Sequence, residues 1–210
     1  MVNSLQLMEI LKDQKERMIR LISNDKIMKR ELPFDINSLT LGANSIILGP
    51  RRCDKSTFSF DTLKNIKFGY VNFDDKRLNI SSENLNDILE AIYSIEGGVE
   101  IILFDEIQEV TGWEKFISRL IDEKRIMITG SNPRLLDRDL GKHITGRHIN
   151  YTLLPFSFTE FLHYFGFETE EYNTYSTNKK AELINLLKKY IEDGGSTGIK
   201  YRKRLLNRFI

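Results

Sequence analysis

The sequence predicts an α/β fold in three layers, built on a mainly parallel sheet, and three observations predict it. Short, almost wholly apolar runs such as "SIILG", "VEIILFDE" and "RIMITGS" read as strands buried on both faces. Longer stretches with helical spacing separate these runs, so the order is strand, loop, helix, repeated, which favours parallel strands with helices on both sides. Polar residues collect at the carboxyl ends of the runs, where ligands sit in open parallel sheets.

The elements follow in order. Residues 4 to 30 carry Leu7, Leu11, Met18 and Ile22 near one face of a helix that is otherwise dense in charge, an amphipathic leader. Pro33 and the polar run "DINSLTLGAN" break the pattern, and "SIILG" then reads as a strand ending at Gly49. "KSTFSFDTLKN" is a helix, "FGYVNF" a strand, and "SENLNDILEAIYSI" a helix stopped by Gly97 and Gly98. "VEIILFDE" is a strand ending in two carboxylates, followed by a helix through "WEKFISRLIDE" and the strand "RIMITGS". In the tail, "RHINYTLL" reads as one more strand, and "SFTEFLHYF" and "KKAELINLLKKYIED" as C-terminal helices. The expected division is an N-terminal helix over 1–30, a core over 31–165 and a helical extension with a basic tail over 166–210.

Composition narrows the function classes. With 210 residues, 40% hydrophobic and 29% charged, the chain is long enough for one sizeable core. Lys and Arg number 31 against 30 Asp and Glu, so the net charge of +1 gives no overall field for nucleic acid or acidic lipid. The single cysteine, Cys53, excludes an internal disulfide and suits a reducing cytoplasm, and three scattered histidines give no zinc spacing. Neither a signal segment nor a membrane span is legible, so the expectation is a soluble cytoplasmic protein without a membrane partner.

The stretch "GPRRCDKST" carries the chemistry. It has Gly49, Lys55 and Ser56 in the register of a phosphate-binding loop, G-x-x-x-x-G-K-[ST], but Asp54 stands at the second glycine. Such a loop works because backbone N–H groups and a helix N-terminus face an anion, a lysine reaches the terminal phosphates and a hydroxyl faces Mg²⁺. A second buried strand must then end in acid. "IILFDE" supplies Asp105 for the metal and Glu106 for the attacking water, while Ser131 and Asn132 close a third strand.

"LGPRRCDKST", "YVNFDD", "ILFDEIQEVTGWEKF", "ITGSN" and "GRHINYTLLPFSFTEFL" together resemble the prokaryotic AAA+ type P-loop ATPases, from about Lys29 to about Gly195. The resemblance implies an AAA+ type P-loop NTPase fold and ATP and Mg²⁺ as ligands. It makes Gly49, Pro50, Arg51, Arg52, Cys53, Asp54, Lys55, Ser56 and Thr57 the nucleotide-binding Walker A loop. It places the metal at Ser56 and Asp105, makes Glu106 the Walker B catalytic residue and Asn132 the sensor, and offers Arg147 as an arginine finger, against a solvated strand-edge charge. Arg51 and Arg52 have no role derivable from the residues.

Two departures bear on activity. The resemblance fades after "IEDGG", so the expectation is a truncated extension without the C-terminal domain usual in the family. Asp54 would place a carboxylate about 4 Å from phosphate, costing about 4 kcal/mol per unit charge at an effective dielectric of about 20. The leading expectation is ATP hydrolysis with Mg²⁺ by a domain whose Walker A is weakened. The alternative is a non-catalytic P-loop scaffold for a protein or nucleic-acid partner, with homo-oligomerisation and nucleic-acid binding by the tail (Lys200, Arg202, Lys203, Arg204, Arg208) left open.

Overall fold

The computed structural model describes residues 3–24, 27–40, 42–131, 148–170 and 174–193. Its elements are α1 (Ser4–Asn24), α2 (Ile36–Thr40), β1 (Asn44–Leu48), α3 (Lys55–Leu63), β2 (Phe68–Asn72), α4 (Leu85–Glu96), β3 (Ile101–Asp105), α5 (Trp113–Leu120), β4 (Arg125–Gly130), β5 (His148–Thr152), α6 (Phe158–Phe165) and α7 (Thr177–Asp193). The strands form one sheet in the order β2-β3-β4-β1-β5, and every neighbouring pair is parallel.

The apolar runs become strands because both faces are covered. Successive side chains point to opposite faces, so Ile46, Leu48, Ile102, Phe104, Ile126 and Ile128 join one core cluster with residues of α4 and α5. Ile47, Ile101, Leu103 and Met127 join the other, with Leu39 of α2 and Phe60 and Leu63 of α3. That division makes the three layers. Edge strand β5 is the exception: all its residues are partly or fully exposed, so its sequence lacks the solid apolar run of the inner strands.

The amphipathic leader is shorter than its periodicity suggests, ending at Asn24, and it straddles the other edge of the sheet. Leu7, Ile10 and Leu11 enter the first core cluster, while Met18 and Ile22 pack against the second. Gln14 caps the edge strand β2: its amide donates to the Asn72 carbonyl at 3.0 Å and accepts from the Asn72 N–H at 2.9 Å. Lys15 donates to the Phe68 carbonyl at 2.7 Å. Backbone groups left open on an edge strand invite pairing with another chain, and α1 closes this one. The short helix α2 falls in the stretch that reads from sequence only as a polar break.

At the other end, Met28, Phe156, Phe161 and Tyr164 form a smaller cluster, against which Leu186 and Tyr190 of α7 pack. Along α7, Ile184, Leu187 and Ile191 stay exposed.

Candidate nucleotide site

β1, β2, β3 and β4 all deliver polar residues to the same end of the sheet. β1 runs into a loop that ends at α3, and Gly49 is required there by a close approach. A Cβ at this position would lie 2.0 Å from the Leu153 carbonyl oxygen, so only glycine lets β1 pass the chain leaving β5. The loop then places Lys55 and Ser56 in the first turn of α3. Asn72 at the end of β2 is in register with Asp105 at the end of β3.

Asp105 is fully buried and enclosed by three hydroxyls. Ser56 Oγ donates to its Oδ1 at 2.8 Å, Tyr70 Oη donates to Oδ2 at 3.1 Å, and Thr129 Oγ1 donates to Oδ1 at close range. Burial pushes the Asp105 carboxyl up to about 6, against the Thr129 and Ser56 hydrogen bonds, with the neighbouring Glu106 charge adding to the rise. Thr129 also accepts from the Glu106 N–H at 3.0 Å, which ties the end of β4 to the turn after β3.

Lys55 is buried and shared between two acceptors. Its Nζ donates to the Pro50 carbonyl at 3.1 Å and lies 3.4 Å from Glu106 Oε1. Glu106 Oε2 in turn accepts from Gln108 Nε2 at 2.5 Å. Hydroxyl, carboxylates and ammonium therefore converge beside a cavity of about 300 Å³ lined by Arg51, Arg52, Asp54, Lys55, Ser56, Thr57, Asn72, Asp74 and Glu106. Gly49, Pro50 and Cys53 are absent from that lining and shape the loop instead. The Cys53 thiol is buried, donates to the Pro50 carbonyl at 3.0 Å, and has its pKa raised by burial. Asn132 and Arg147 lie outside the described residues, as does the basic tail.

Among the described residues, the non-glycine positions with a left-handed backbone are Arg52 (φ 67°), Asp54 (φ 66°) and Glu106 (φ 54°), all at this site. At Asp54 the left-handed backbone is the conformation for which the motif keeps a glycine, and Asp is one of the few other residues that visit it readily. The aspartate is half-buried and lines the cavity. A second cavity, about 450 Å³, adjoins the first through Asp54 and Thr57 and is walled by Met28, Arg30, Phe58 and Asp61.

Arg30 and Glu160 show no signal in the motif-by-motif reading, yet they hold the loop. The Arg30 guanidinium is buried, with Nε donating to Glu160 Oε1 at 3.0 Å, Nη1 to the Cys53 carbonyl at 2.7 Å and Nη2 to the Leu154 carbonyl at 2.5 Å. It also stacks over Phe156, 4.5 Å from the ring centre. Glu160 accepts as well from the N–H groups of Glu31, at 2.6 Å, and Ser157, at 2.9 Å, and Ser157 caps α6 by accepting from the Glu160 N–H. This gives the "PFSFTE" stretch a physical role. It supplies the cap and the buried carboxylate that fix Arg30 against the phosphate-type loop.

Comparison with known proteins agrees with this architecture. A family model described as an AAA domain matches residues 43–162, from the start of β1 into α6. An uncharacterized protein of Methanocaldococcus jannaschii, MJ1544, is 40% identical over 155 residues, covering 71% of this chain and 34% of that protein. An uncharacterized protein of Haemophilus influenzae is 44% identical over 63 residues, 29% of this chain and 16% of the relative. The chain thus spans about a third or less of the length of these curated relatives. Among solved structures, the Walker-type ATPase PABY2304 of Pyrococcus abyssi superposes with a TM-score of 0.50 at 15% identity, covering 74% of this chain and 56% of that one, a likeness of fold. With more than half of its length matched by the family model, and with a parallel sheet that brings a loop lysine and a buried strand-end aspartate together, the chain belongs to the AAA family of P-loop ATPase domains.

Proposed function

We propose that this domain binds Mg-ATP and hydrolyses it to ADP and phosphate. The observation that carries the reading is the 2.8 Å contact between the Ser56 hydroxyl and the Asp105 carboxylate, beside a buried lysine at the mouth of the cavity. A hydroxyl and a carboxylate adjacent at a phosphate-type loop form an oxygen donor set suited to Mg²⁺. When bound there, Mg²⁺ supplies charge neutralisation to the β- and γ-phosphates.

The chain's own groups do the rest. Lys55 gives up the Pro50 carbonyl and Glu106 for phosphate oxygens, and N–H groups at the start of α3 face the same anion. Glu106 then orients a water and accepts its proton as the water oxygen bonds to the γ-phosphorus and the bond to the β–γ bridging oxygen breaks. The 450 Å³ cavity between Met28 and Phe58 is the place for the base, since it continues from the phosphate cavity past Asp54. Asn132 and Arg147 enter this reading through the resemblance alone, as sensor and trans-acting arginine.

Asp54 favours a second reading, a non-catalytic scaffold. Asp54 lines the cavity where phosphate charge would lie, and a carboxylate turned to that phosphate would weaken binding whatever the state of Asp105 and Glu106. An equilibrium titration with Mg-ATP, on this chain and on Lys55→Ala, separates the two. Saturable binding that Lys55→Ala removes supports the ATPase. Equal behaviour of the two proteins would leave the scaffold.

A further inference from the structure

We infer that Gln108 is a positioning residue for Glu106, holding that carboxylate in place when Lys55 leaves it for phosphate; this rests on the ATPase reading above. Among the described residues Glu106 has two side-chain partners. One of its oxygens lies 3.4 Å from Lys55 Nζ, and the other accepts from Gln108 Nε2 at 2.5 Å. These partners face different fates. Lys55 is the group the loop offers to phosphate, so the ion pair with Glu106 cannot persist unchanged once nucleotide is bound. Gln108 has no such second duty. It lies two positions after Glu106, on the turn that follows β3, and its Nε2 also lies 3.4 Å from Ser131 Oγ at the end of β4.

The chemistry of the side chain suits the task. An amide donor holds a carboxylate by a charge-assisted hydrogen bond without bringing a positive charge that would compete for it or lower its basicity as an ammonium does. The other end of the amide is also informative. Gln108 Oε1 is buried and, among the described residues, has no hydrogen-bond partner. An orphaned buried acceptor is costly to keep. A residue chosen for packing alone would be apolar here. The orphaned oxygen sits on the side chain that holds the water-orienting carboxylate, where the hydrogen of a water is its natural partner.

Backbone geometry points the same way. Glu106 has a left-handed backbone, which is strained for a non-glycine residue. Its N–H is tied to Thr129. With the main chain fixed at that point, the remaining freedom of Glu106 is in its side chain, and Gln108 removes it.

The test uses three variants, Gln108→Ala, Gln108→Met and Glu106→Ala, in this chain and in its Asp54→Gly form. Gln108→Met restores the volume of the side chain but not the N–H donor. Turnover of Mg-ATP should fall about tenfold or more in both Gln108 variants, with Mg-ATP affinity and melting temperature near those of the parent. The side-chain amide signal of Gln108, observed by NMR, should shift in Glu106→Ala and should keep its carboxylate-bonded position when a non-hydrolysable β–γ-imido ATP analogue and Mg²⁺ are added to the parent. Recovery of turnover by Gln108→Met, or an amide signal indifferent to Glu106, overturns the inference while leaving the ATPase reading intact. Absence of Mg-ATP binding in both the natural and the Asp54→Gly proteins overturns that reading and the inference with it.

Discussion

The two halves of the nucleotide site are built to different standards. Around Asp105 both carboxylate oxygens are answered: three hydroxyls point at them, and one of these, Thr129, also fixes the backbone of Glu106. In the loop before α3, two non-glycine residues sit in left-handed conformations, and one of them, Asp54, lines the candidate phosphate cavity. The strand-end half is buried in the sheet, where losing a hydroxyl leaves the Asp105 carboxylate short of a partner and losing the carboxylate strands the hydroxyls. The loop half is half-exposed, so a charged residue there bears on a ligand more than on folding. Under the proposed function the difference teaches that affinity and chemistry are separable: the carboxylates assigned to hydrolysis keep their partners, while the loop assigned to binding carries Asp54 in place of glycine.

Three changes sharpen that contrast. Glu106→Gln, placed in a form that hydrolyses ATP, should lower turnover by about 10²–10⁴-fold and leave nucleotide affinity within a few fold, as measured by steady-state hydrolysis beside calorimetry. A matching loss of affinity would mean that Glu106 belongs to the binding half. Arg30→Ala comes next. It strands Glu160 in the interior and frees the Cys53 carbonyl, so chemical denaturation should show a loss of about 3–5 kcal/mol. A loss under about 1 kcal/mol would show that the loop does not depend on this pair.

The third change is in pH. Because burial raises the Asp105 carboxyl to about 6, against an ordinary value near 4, the folded state holds this proton more tightly than the unfolded state does. The sign is therefore opposite to that of a salt-bridged carboxylate. As pH rises from about 4 to about 6 the free protein loses stability from this group, by up to about 3 kcal/mol. Asp105→Asn removes the titration, so the difference in stability between parent and variant should vary across that window and level off above it. A difference that stays flat from pH 4 to pH 7 would show that Asp105 is not raised.

Much of the architecture is legible in the residues, for a physical reason. Inner strands of a parallel sheet are apolar on both sides, so "SIILG", "IILFD" and "RIMITG" stand out without help, and the polar residues that end them fall at one end of the sheet. Edge strand β5 and the five-residue α2 carry weaker signals because one is half-exposed and the other is too short for a period. Lys55, Ser56, Asp105 and Glu106 were expected at the site from their place at strand ends, and the fold brings them together. Tyr70, Thr129, Arg30 and Glu160 were not. Each acts through a partner far away in the chain, Glu160 on Arg30 across 130 positions, and nothing in the local pattern of a buried tyrosine or a helix glutamate marks such a pairing.

The proposal that Asp54 weakens nucleotide binding beside an otherwise complete set of hydrolytic residues is tested most directly by calorimetry of Mg-ATP binding to this chain and to Asp54→Gly at matched Mg²⁺. Removing the carboxylate takes away a like charge beside phosphate and returns glycine to a left-handed position, so the variant should bind about 10–1,000-fold more tightly. Equal affinities in the two proteins would contradict the proposal, because the Asp54 charge would then have no effect on phosphate bound at the loop.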